Sequence, residues 1–175
     1  MAGVSAFSFE DARARGLAKL RRLVLAREGE LDDEGTLALL HALQQSVEPL
    51  LDEQLETFFL GYFRRRFQSL EPSGFLAFAR AVLNFESAPL SPGLAAELAL
   101  HLAQRLPESP ETTLDHMELL HQIRVSLSRD PDDPSLPRAA SALDAGISLY
   151  RRALLLMLGK APPSAALLLR ILSVV

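Results

Sequence analysis

Histidines, clustered acids and paired arginines are the residues of this chain whose types and spacing could do chemistry. HMELLH, residues 116–121, invites a metal reading. A zinc-protease helix needs HExxH, with two histidines four apart on one face. Here His116 and His121 are five apart, about 140° around a helix, and Glu118 lies on another side. The pair is expected to face solvent or cap a helix, not to hold a metal. LGKAPPS (158–164) lacks the GxxxxGK spacing of a phosphate loop, and no strand precedes it. No serine sits in a GxSxG elbow. Asp32, Asp33 and Glu34, and likewise Asp52 and Glu53, fall in first helical turns, where acids favour the dipole. They read as caps rather than as a catalytic dyad. No catalytic residue, metal site, cofactor or small-molecule substrate is expected, and the chain reads as a non-enzyme.

The arginines are more informative. KLRRL (19–23), YFRRRF (62–67), AQRL (103–106) and YRR (150–152) each lie near the end of a helix that closes a hairpin. In stacked hairpins such ends fall along one edge. Arginine near a helix C-terminus bonds the last carbonyls and complements the dipole, for about 0.3–1 kcal/mol per site. The functional alternative is a phosphate-contacting RNA edge made of Arg21, Arg22, Arg64, Arg65, Arg66, Arg105, Arg151 and Arg152, with Tyr62 stacking on a base. The net charge of −4 requires any such stripe to be local.

The elements that must carry these residues are helical. Half of the 175 residues are apolar, which excludes a mainly disordered chain. Leu and Ala dominate, while β-branched residues are few. There is no Cys, so no disulfide framework or thiolate metal site. The longest apolar runs, residues 153–159 and 165–169, fall far short of the roughly 20 residues of a membrane span. The N-terminus lacks the apolar core of a secretory signal, and Glu10 and Asp11 make it a poor transit peptide.

Eight helices can be placed from caps and periodicity. The first runs from about Phe9 to Arg27 behind Ser8, with Leu17, Leu20, Val24 and Leu25 on one face. The second begins near Asp33, and the third follows Asp52, with Phe59, Phe63 and Phe67 in a stripe. Pro72, Ser91-Pro92 and Ser109-Pro110 open the next three, since proline at the first helical position lacks only an N–H that has no partner there. An acidic, Pro-rich loop (128–135) precedes a seventh helix from Pro137 to Leu158, ended by Gly159. Pro162-Pro163 restart a last helix.

A shift of 39 residues carries segment 31–69 onto 70–108. Leu31, Gly35, Leu37, Ala38 and Ala42 meet Leu70, Gly74, Leu76, Ala77 and Ala81, and the expected caps Asp52 and Ser91 coincide. Leu37 and Leu40 recur again as Leu114 and Met117. The expectation is one all-α domain over 1–175, a short α-solenoid of antiparallel hairpins. Its units are 8–30 (partial), 31–69, 70–108, 109–158 and a C-terminal helix over 163–175. A non-repetitive helical bundle is the alternative.

The unit LEPSGFLAFARAVLNFESAPLSPGLAAELALHLAQRL (70–106) resembles the octotricopeptide and heptatricopeptide repeats of organellar FAST-kinase-like proteins. Leu70, Pro72, Leu76, Ala77 and Ala81 supply the Leu-x-Pro opening and first helix; Leu90, Leu94, Leu98 and Leu102 supply the second. The resemblance covers residues 31–108 and, loosely, 109–158. It implies a scaffold subunit of a mitochondrial or plastid assembly, such as a ribonucleoprotein like the mitochondrial ribosome. The alternative is a protein-binding adaptor without RNA contact, in a cytoplasmic setting if no organelle is involved. Finally, the last helix is apolar nearly all round. Leu168, Leu169, Ile171, Leu172 and Val175 are expected to dock a partner, with the opposite face packed on the seventh helix through Leu154, Leu155 and Leu158.

Overall fold

The computed structural model describes residues 9–26, 30–46, 50–88, 90–105, 109–127, 134, 136–160 and 163–174, with side chains from residue 14 onward. Among them are eight helices and no strand: α1 (Phe9–Ala26), α2 (Asp33–Gln44), α3 (Glu53–Arg66), α4 (Pro72–Leu83), α5 (Pro92–Gln104), α6 (Pro110–Leu127), α7 (Leu136–Leu158) and α8 (Ala165–Val174).

The helix starts follow from local chemistry. Asp32 accepts from the Gly35 N–H at 2.7 Å, Asp52 from Leu55 at 3.0 Å and Ser91 from Leu94 at 3.3 Å. Each such cap is worth about 1 kcal/mol. Pro72 and Pro92 occupy first-turn positions as expected, whereas Glu71 before Pro72 makes no side-chain cap. The expected cap Ser8, the loop residues 128–133 and residue 106 lie outside the described residues. The last helix begins two residues later than 163, because its cap is Ser164, which accepts from the Leu167 N–H at 3.2 Å. No described glycine has positive φ, so Gly159 does not end α7 in a left-handed turn. Instead the chain tightens, with Lys160 N–H donating to the Met157 carbonyl at 3.0 Å.

The repeat register appears in the helix bounds. Both ends of α4 lie 39 residues after those of α2, and α5 begins 39 residues after α3. Equivalent positions are buried alike: Leu40 with Ala79, Leu43 with Val82, Phe59 with Leu98, and Phe63 with Leu102. The third unit keeps the pattern of the first. Buried Thr36 donates its hydroxyl to the Asp32 carbonyl, and buried Thr113 donates its hydroxyl to the Ser109 carbonyl, both at 2.7 Å.

Two rows of helices result. α2, α4, α6 and α8 pack side by side in one row, each against the next. α3 packs on α4, and α5 and α7 pack on α6 and on each other. The core runs unbroken between the rows, from Val24 and Leu40 through the Phe59, Phe63, Phe75 and Phe78 cluster to Leu143 and Leu154. This is an all-α helical stack. Two expectations about faces fail. Leu25 is exposed, since Val24 takes the inward position on α1. α8 packs on α6 rather than α7, and Leu155 is exposed because Leu154, one residue earlier, already points into the core.

Candidate functional site

The stack divides the arginine set. Arg21 pairs with Asp52, the cap of α3. Arg66 grips Asp33 with two bonds, Nε to Oδ1 at 3.0 Å and Nη2 to Oδ2 at 2.9 Å. Arg105 donates to the Leu70 carbonyl at 3.1 Å and lies 5.0 Å over the Phe75 ring. These three hold neighbouring segments of the chain to one another. Arg22, Arg64, Arg65, Arg151 and Arg152 are exposed.

Tyr62 is not available for a base to stack on. Its side chain is buried, its ring stacks on Phe78 at 5.9 Å, and its hydroxyl donates to Asp33 at 2.6 Å. A tyrosine on the third helix turns inward here because Asp33, at the start of α2, gives its polar tip a partner. Arg66, and after it Tyr62, hold the Asp33 carboxyl below the usual carboxylate range by bonding its charged form. Asp33 is thus a bridging residue, while its neighbour Asp32 is the cap.

HMELLH does not face solvent at both histidines. His116 is buried, with its ring edge-on to Tyr150 at 5.2 Å, and His121 is half-buried. Burial pushes both below the ordinary histidine range, as it does His101. Tyr150 is buried too, and its hydroxyl donates to the carbonyls of Leu102 and Arg105 at the end of α5. Among the described residues no cluster of three metal-ligating side chains occurs.

Two polar constructions were not legible beforehand. Buried Glu56 accepts the backbone N–H groups of Glu86, Ser87 and Ala88 at 3.2, 2.7 and 2.9 Å, fixing the turn between α4 and α5. Asp115 and Glu118 of α6 lie between Arg80 of α4 and Arg170 of α8. For this second group the repeat held the signal: the third unit follows the second by 38 residues, as Pro110 follows Pro72, and that shift carries Arg80 onto Glu118.

The C-terminal docking residues are placed as follows. Leu168, Leu169 and Leu172 are exposed, the last two at 70% and 80%. Ile171 is half-buried against the core, while Val175 lies outside the described residues. Leu167 is the buried contact of α8, and Arg170 ties the helix to α6. On α7, Leu155 and Leu156 are exposed at 70% and 71%. A second feature is an open groove of about 660 Å³ between the starts of α2 and α4, with Leu37 and Ala77 in its floor and Asp33, Glu34 and Glu71 at its rim. Its acids oppose a nucleic-acid phosphate. No helix among the described residues is long and apolar enough to cross a membrane.

The described residues form a helical stack with Leu155, Leu156, Leu168, Leu169 and Leu172 exposed on its last two helices, and with Leu23, Leu25 and Leu100 exposed elsewhere. Comparisons with protein-family models, curated proteins and solved structures find no match.

Proposed function

We propose that this chain is a non-enzymatic helical-repeat scaffold that joins a larger assembly through the apolar end of its stack. The observation that carries the reading is the set Leu155, Leu156, Leu168, Leu169 and Leu172, all exposed on the last two helices. Contiguous apolar patches on water-soluble domains mark interaction sites. Covering a leucine contributes about 2 kcal/mol, so even part of this set supplies a strong driving force. The triple variant Leu168→Ser, Leu169→Ser, Leu172→Ser tests it. The variant is expected to melt as the parent does, yet to leave the heavy fractions when an extract of the native source is separated by size. A parent chain that travels alone, or a variant that stays in the heavy fractions, overturns the reading.

A second reading makes that assembly an organellar ribonucleoprotein, such as the mitochondrial ribosome, with RNA on the arginine edge. It is supported by the repeat resemblance over 31–108 and by the exposure of Arg22, Arg64, Arg151 and Arg152. The protein-only adaptor is favoured over it, since Arg21, Arg66 and Arg105 are engaged within the fold and Tyr62 is covered. Salt-sensitive RNA binding lost on Arg22→Glu with Arg64→Glu would reverse that preference.

A further inference from the structure

The stack states what belongs on its open end. α4 lies between two helices of the other row: α3, through the Phe63–Phe75 and Phe63–Phe78 ring contacts, and α5, through Phe75–His101. α6 likewise lies between α5 and α7. α7 seals the preceding helices of both rows, and its pairings with α5 and α6 are the most extensive in the fold. α8 continues the first row by packing on α6. The next second-row position would rest on α7 and α8 as α7 rests on α5 and α6, and no described helix fills it. Leu155 and Leu156 lie on the side of α7 turned away from its buried face, and Leu168, Leu169 and Leu172 do the same on α8.

Charge identifies the occupant. Residues 145–175 contain Arg151, Arg152, Lys160 and Arg170 and not one Asp or Glu. Arg170 is engaged by Asp115 and Glu118, while Arg151, Arg152 and Lys160 are exposed beside the leucines. The chain's own helix seams pair arginine with acid at the edge of an apolar contact: Arg66–Asp33 between α3 and α2, Arg80–Asp115 between α4 and α6, and Arg124–Asp144 between α6 and α7. A second copy of this chain would instead set cation against cation, which disfavours self-association.

Resting on the docking reading above, we propose that the second helix of a fourth hairpin is supplied by a partner protein. It is an amphipathic helix with a leucine-type face flanked by Asp and Glu, seated on α7 and α8. The apolar face supplies most of the binding and the acidic flanks select the partner.

Two designed peptides test this against the full chain by fluorescence anisotropy. Both carry leucines at i, i+3, i+4 and i+7 over about 18 residues, long enough to form helix. One has glutamates at the flanks and the other lysines. The glutamate peptide is expected to bind at least about tenfold tighter, with the difference shrinking as salt rises. Arg151→Glu, Arg152→Glu and Lys160→Glu together should reverse the preference without moving the melting temperature. Leu169→Ser with Leu172→Ser should abolish binding of both. Equal binding of the two peptides overturns the charge selection while leaving docking intact. Binding of neither, with light scattering showing a dimer, assigns the face to a second copy and overturns the proposal. So does a chain that ignores both peptides but binds phosphatidylserine vesicles or poly(U) RNA. Failure of the docking reading itself shows separately, as a parent chain outside any heavy fraction of the native extract.

Discussion

Individual polar side chains here serve mainly to tie the chain to itself. Asp33, Glu56 and Tyr150 each join backbone or side chains about 30 to 48 residues apart. That distance is why they were illegible in the sequence: nothing around Tyr62 says that its hydroxyl meets Asp33, and without that partner it reads as an exposed aromatic. The buried histidines have a measurable consequence. In the folded state His101, His116 and His121 are held below the ordinary value of about 6.5 by burial, so they remain neutral while the unfolded chain takes up protons. Their neutral forms therefore cost no stability above pH about 7, and stability falls as pH drops through about 6.5. Asp33 works in the same sense but at lower pH, since the stabilising effect of its charge is lost only as pH falls below the ordinary carboxylate pKa of about 3.9. The melting temperature is expected to be lower at pH about 5.5 than at about 7.5, and His116→Leu should reduce that drop. A flat profile across this range would mean that the histidines titrate normally in the fold.

At the level of the helix the sequence was largely sufficient. Asp32, Asp52 and Ser91 cap where they were expected to, because capping needs only the residue and the N–H three positions on. The aromatic stripe of α3 and its leucine counterpart in α5 are buried as their four-residue spacing requires. What periodicity could not say is which neighbour a helix chooses. α8 satisfies its inward face on α6 through Leu167, where the notional partner on α7, Leu155, faces out. Helix approach also depends on small residues whose role is visible only in the packed state. Gly146 of α7 faces Leu120 of α6, and a Cβ placed there would stand 3.1 Å from the Leu120 Cδ1. Gly146→Leu is expected to separate α6 from α7 and lower stability by about 1–3 kcal/mol. Urea titration reads this as a lower midpoint with the slope retained. Gly74→Ala, where the added carbon meets open space, should leave the stability unchanged or raise it by up to about 1 kcal/mol, read as an equal or higher midpoint. A tolerated Gly146→Leu would show that the two helices pack loosely.

For the molecule as a whole, the repeat was legible because successive units reuse one register, whereas its exposed surfaces were not, because no local motif marks them. The exposed leucines of α8 could equally have been internal; only packed helices distinguish the two. α8 gives the core one buried side chain, Leu167, and its Arg170 pairs are part-exposed and so worth little to stability. Removing residues 164–175 is therefore expected to leave a cooperatively folded chain whose melting temperature falls by no more than a few degrees. Circular dichroism on heating measures this, and a truncated chain without a melting transition would place α8 in the core.

Hairpins that rest only on their neighbours open from the ends, and the free energy of opening rises toward the best-sealed seam. That seam is here α5–α7, where Tyr150 closes the carbonyl end of α5. Amide hydrogens of α1 and α8 thus sit on two fraying tips of unequal fate. A helix laid across α7 and α8 closes one tip and leaves the other untouched. Bound, the molecule becomes a zipper with a single loose end, its amide exchange slowed in α7 and α8 while α1 continues to exchange at its old rate.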